Sequence, residues 1–110
     1  MKRYCYALDL RDEPRLIADY EAAHRNVWPE ILNSLKEAGI LHAEIYRTGN
    51  RLFMILETSD DYSPERKANL DNNNPRVREW EQLMWKYQQA LPTAKHGEKW
   101  VMMKKIFELD

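Results

Sequence analysis

The sequence predicts an α+β fold, a ferredoxin-like βαββαβ sandwich with two long helices packed on one face of an antiparallel sheet. Three observations predict it. Apolar residues recur at helical spacing in two long stretches, from Leu16 to Ala38 and from Val77 to Leu91. Alternating or continuously apolar runs lie before, between and after those stretches. Thr48-Gly49-Asn50-Arg51 joins the two middle runs with the positive-φ residues of a tight hairpin. A chain of 110 residues holds one domain, residues 1–110, with a real but modest core.

In chain order, Arg3 to Leu10 alternates around Tyr4, Tyr6, Leu8 and Leu10 and predicts the first strand, bounded by Arg11-Asp12-Glu13-Pro14. Pro14 suits the first turn of a helix that runs to about Ala38 and stops at Gly39, with a kink or restart at Pro29. Ile40 to Tyr46 and Leu52 to Glu57 are the second and third strands, the third continuously apolar and hence central. Ser63-Pro64 opens a short helix to about Leu70, and Asp71-Asn72-Asn73-Asn74-Pro75 is the strongest turn signal in the chain. Pro75 opens the second long helix, expected to end before Pro92. Trp100 to Leu109 completes the sheet as the last strand. Tyr4, Tyr6, Phe53 and Trp100 are expected on the open sheet face, where burying them calls for a homodimer paired sheet to sheet.

Composition narrows the function. A net charge of −1, with Lys and Arg scattered among Asp and Glu, gives no electrostatic reason to expect nucleic acid or a membrane surface as partner. The only cysteine, Cys5, cannot form an internal disulfide, and there is no signal peptide or long apolar run, so a cytoplasmic location is expected. His24, His42 and His96 have no metal-ligand spacing, and no metal site is expected. A Gly-rich phosphate loop, a serine elbow and a CxxC pair are all missing, so no cofactor is expected.

The candidate chemistry centres on Tyr20-x-x-x-His24-x-x-x-Trp28-Pro29-Glu30. Residues four apart stack on one helix face, so two amphipathic rings flank a side chain that gives or takes a proton near pH 7. Aromatic walls suit the apolar faces of a sugar or another ring-shaped ligand. The plainer reading is a hydrogen-bonded structural histidine among core-edge aromatics. Glu30, Glu44, Glu57 and Asp71 are all open as a second proton-handling group, and spacing does not choose among them. Asn74 and its neighbours offer amides that could read hydroxyl groups, although a turn before Pro75 is their commoner use. Trp85 departs from the apolar stripe of its helix and is free to stack on a ligand, whereas Trp80 and Tyr87 read as core.

The motif from Tyr20 to Glu30, with Trp85-Lys86-Tyr87 and the Pro92 beyond it, resembles the L-rhamnose mutarotase family over essentially the whole chain. The resemblance implies a dimeric α/β barrel that interconverts the α and β anomers of a pyranose. It makes His24 the catalytic acid–base residue, Tyr20 a substrate-binding tyrosine and Trp85 a sugar-stacking tryptophan; Trp28 and Asn74 join them as substrate-binding candidates. Ala43 stands where rhamnose-type members carry a tyrosine, and Met84-Trp85 where they carry a Trp-Trp pair. L-Fucose or another 6-deoxy sugar thus fits as well as L-rhamnose. Anomer exchange needs one acid and one base, each worth about 10²–10⁴-fold, and demands neither metal nor cofactor. Two other readings share the architecture: a cofactor-free dimeric α/β-barrel monooxygenase, and a non-catalytic sugar-sensing module.

Overall fold

The computed structural model describes residues 1–110. Its elements in order are β1 (Lys2–Leu10), α1 (Pro14–His24), α2 (Pro29–Glu37), β2 (Ile40–Thr48), β3 (Arg51–Thr58), α3 (Pro64–Asn72), α4 (Pro75–Trp85), β4 (Gln88–Gln89) and β5 (Val101–Met102). All strand pairings are antiparallel, in the order β2-β3-β1-β4, with β5 also on β1. This is the predicted ferredoxin-like α+β arrangement, with helices on one face of the sheet.

The predicted first helix is two. Pro29 lacks an N–H and holds the preceding Trp28 at φ −56° and ψ 136°, outside the helical region. The chain tightens through Arg25 N–H to the Ala22 carbonyl (3.2 Å) and Asn26 N–H to the Ala23 carbonyl (3.4 Å), then restarts with Pro29 in the first turn. Gly39 at φ +96° turns α2 into β2, and a Cβ built there would lie 2.7 Å from Ser59 Oγ. Gly49 at φ +56° makes the expected hairpin between β2 and β3.

Two further boundaries differ from expectation. The second long helix ends at Trp85, because Gln88 and Gln89 turn out to pair with Leu10 and Asp9 of β1, and Arg11 N–H donates to the Tyr87 carbonyl at 2.8 Å. The last strand shrinks to Val101–Met102, extended by one bond from Met103 N–H to the Cys5 carbonyl (2.7 Å). Beyond it the chain has no strand partner, and Ile106, Phe107 and Leu109 are exposed.

Register also corrects the sheet faces. Directly opposed residues share a face, and Leu8 and Leu10 are fully buried in the core. Tyr4 and Tyr6 share their side and pack against the cluster of Ala38, Ile40, Leu56 and Tyr62, with the Tyr4 and Tyr62 rings 5.3 Å apart. Trp100 likewise packs against the cluster of Leu10, Tyr20, Ile31, Leu52, Val77, Trp80 and Met84. Of the four expected aromatics, only Phe53 lies on the open face. Its neighbours there are Cys5, Ala7, Ile55 and Tyr46, by the pairings Cys5 to Ile55, Ala7 to Phe53 and Tyr46 to Phe53.

Candidate active site

A cavity of about 450 Å³ lies between the helices and the sheet, large enough for a monosaccharide. Its floor is the helix-side face of the sheet, through Ala43, Ile45, Met54 and Leu56; its walls come from α1, α2, α3, α4 and the segment around Lys99 and Trp100. Most of the lining is apolar, and the polar groups are few: Tyr20, His24, Ser34, Lys67, Asp71, Glu81, Gln88 and Lys99.

Ending α1 at His24 places the imidazole at the break, one turn above Tyr20. Their rings lie 4.3 Å apart. His24 Nδ1 donates to the Tyr20 carbonyl at 2.9 Å, which places a proton on Nδ1, so the neutral ring keeps Nε2 as its acceptor in a residue that lines the cavity. Burial lowers the His24 pKa below its ordinary 6.5, partly opposed by that backbone bond. Trp80 meets the imidazole edge-on at 5.6 Å and holds it from the α4 side. Tyr20 is almost wholly buried, and burial pushes its phenol up to about 12, with Glu81 adding to the rise. It is therefore a neutral hydroxyl at pH 7. The site thus offers one un-ionised base, one un-ionised phenol and two ion pairs, Lys67–Asp71 and Lys99–Glu81.

Of the five residues singled out from sequence, Tyr20 and His24 meet in the cavity lining and the other three are held elsewhere. Trp28 caps α2, stacks edge-on against Trp80 at 5.2 Å and carries the Arg76 guanidinium over its ring at 4.2 Å, so it braces the wall from behind. Asn74 caps α4, its Oδ1 accepting from the N–H groups of Arg76 (3.1 Å) and Val77 (3.4 Å), and its amide oxygen is thereby occupied. Trp85 is about a third exposed and lies outside the lining; the Lys99 ammonium sits 5.0 Å from its ring centroid and links it to the cavity rim. Among the four carboxylates left open by spacing, only Asp71 lines the cavity. Glu30 pairs with Arg76, Glu57 with Arg3, and Glu44 with His42 and Tyr46 on the opposite sheet face.

Glu81, Gln88 and Lys99 escaped the sequence reading. The first sits on the helix face that periodicity calls polar, and the other two are brought in by chain reversals that no local pattern announces. Ala43 and Met84, the two departures from the rhamnose-type pattern, both line the cavity.

A family model described as L-rhamnose mutarotase matches residues 3–109. An L-fucose mutarotase of Xanthomonas campestris pv. campestris is 50% identical over 111 residues, covering 99% of this chain and 89% of that protein. The crystal structure of an L-rhamnose mutarotase from Formosa agariphila superposes with a TM-score of 0.74 at 21% identity, covering 100% of both chains. A dimeric ferredoxin-like protein from an uncultured marine organism superposes with a TM-score of 0.53 at 11% identity, covering 98% of this chain and 91% of that one.

Proposed function

The chain belongs to the L-rhamnose mutarotase family and is an isomerase of sugar anomers; from that premise we propose that it interconverts the α and β anomers of a 6-deoxy pyranose, L-fucose before L-rhamnose, with His24 as the catalytic acid–base residue. The observation that carries this reading is the His24 imidazole, neutral and fixed through Nδ1, with Nε2 open in an apolar cavity of monosaccharide size. Nε2 takes the proton of the anomeric hydroxyl while the ring oxygen gains one. The C1–O5 bond breaks, the open-chain aldehyde turns about C1–C2, and reclosure reverses both transfers. The imidazolium formed on opening is the acid of the closing step, so one residue serves both directions. The second proton site lies among the charged lining groups, Lys67–Asp71 and Lys99–Glu81.

Preference for L-fucose rests on two supports. The relative of Xanthomonas campestris, half identical over nearly the whole chain, is an L-fucose mutarotase. The two departures from the rhamnose-type pattern, Ala43 and Met84, fall on the cavity wall, where they change its shape. A homodimer belongs to the same reading. The open sheet face presents Cys5, Phe53, Ile55 and Tyr46, and the exposed Ile106, Phe107 and Leu109 follow β5 beside it.

Saturation-transfer NMR tests the activity directly. Saturating one anomeric proton of L-fucose should diminish the signal of the other anomer in the presence of the protein, faster than for L-rhamnose, with no oxygen consumed. Catalysed oxygen uptake on a quinol would favour the monooxygenase alternative. Sugar binding without faster exchange would favour sensing.

A further inference from the structure

Gln88 has no part in the reaction as derived, yet it is the most conspicuous polar side chain in the cavity. It is 3% exposed. In the β1–β4 ladder it stands opposite Leu10, a core residue, so its side chain points to the helix side of the sheet and into the cavity lining. Its Nε2 donates to the Tyr20 hydroxyl oxygen at 3.5 Å, and its Oε1 is buried with no hydrogen-bond partner. An orphaned buried amide oxygen is costly, and an apolar side chain of the same length would fill the space without that cost. Turning the amide round would let the Tyr20 hydroxyl satisfy Oε1 and leave the NH₂ open instead. One end of the amide is therefore vacant in either orientation.

What the vacancy accepts follows from its neighbour. The Tyr20 phenol is neutral, and with its oxygen accepting from Gln88 its proton is free to be donated. A free donor and a free acceptor thus lie side by side. A carboxylate or ketone would use the donor and leave Oε1 stranded, and an ammonium would do the reverse. A hydroxyl group accepts from one and donates to the other at once. Tyr20 meets His24 with its ring and Gln88 with the hydroxyl at the far end of that ring, an arrangement that favours different sugar groups for the two side chains.

We propose that Gln88, paired with Tyr20, is the specificity-determining reader of one non-anomeric hydroxyl of the sugar. This rests on the mutarotase reading and adds to it which side chain senses substitution around the ring.

The test is a binding panel. The parent sugar is whichever of L-fucose and L-rhamnose the wild type exchanges faster. Its 2-, 3- and 4-deoxy analogues are titrated by NMR against wild type and Gln88→Met, with thermal melts confirming that the variant folds. Wild type should bind one analogue about 10–100-fold more weakly than the parent, the usual effect of stranding a buried polar group. Gln88→Met should bind the parent more weakly by a similar factor and that analogue unchanged, bringing the two within about two- to threefold. Its melting temperature should hold or rise, since the orphaned oxygen is gone. Wild type that binds all three analogues as tightly as the parent overturns the inference without recourse to any variant. So does Gln88→Met that keeps the wild-type ratios. In either case, continued anomer exchange on the parent would leave the mutarotase reading standing. A wild type that neither binds nor exchanges either sugar would sink both.

Discussion

At the scale of single residues, the pairing of His24 with Tyr20 was visible before folding because two residues four apart on a helix must share a face. The fates of Trp28 and Asn74 were not, because each has a local role that competes with ligand binding. A residue before proline is pushed out of the helix, and an asparagine before a first turn caps it. His24→Ala should lower the rate of anomer exchange by about 10²–10⁴-fold while Tyr20 and Gln88 still hold the sugar, measured by saturation transfer alongside a binding titration. The pH dependence has a definite sign. With the His24 pKa lowered by burial, the neutral imidazole persists to below pH 6.5, so the exchange rate should be flat at neutrality and fall on acidification through a midpoint under 6.5. Stability follows the same direction. It is fully present above the unfolded value of 6.5 and is lost as pH falls through the lower folded value, because the unfolded chain then binds the extra proton. Melts of wild type and His24→Ala between pH 7 and pH 5 should therefore converge on acidification.

At the scale of elements, caps and breakers were the most legible signals. Pro14, Pro29, Pro64 and Pro75 each stand in the first turn of a helix, and Gly39 and Gly49 turn the chain where expected. Helix α4 ended early for a reason that local sequence does not carry. Tyr87 and Leu91 continue the helical period, but the edge of β1 offers Gln88 and Gln89 ladder hydrogen bonds, and the tertiary pairing overrides the periodicity. The same non-locality put Tyr4 and Tyr6 under the helices, since alternation tells which residues share a face but not which face is covered. Asn74→Ala should cost about 0.5–2 kcal/mol of stability through the lost cap, with exchange unchanged per folded molecule. Gly39→Ala should cost about 1–3 kcal/mol, because it forces a side chain into a left-handed backbone against Ser59. Denaturant melts measure both.

For the whole molecule, the layer architecture followed from the order of elements, whereas the extent of the last strand did not. Ile106, Phe107 and Leu109 are exposed and find no partner within one chain, and a second copy is the surface that the proposed homodimer supplies. Sedimentation at micromolar concentration should give a dimer. Ile55→Lys, which sets a charge in the middle of the open face, should shift it to monomer, and a wild type that sediments as a well-folded monomer would remove the dimer from the reading.

Lys99 and Trp100 help to line the same cavity as Tyr20, far from it in the sequence. A chain emerging from the ribosome cannot complete this enclosure until Lys99 and Trp100 have been made, so sugar recognition follows the β2–β3 hairpin and its neighbours, which have had time to form. A chain cut just before Lys99 should keep much of its circular dichroism and lose its grip on sugar. In intact protein, recovery of anomer exchange after dilution from urea should trail the recovery of secondary structure and never precede it.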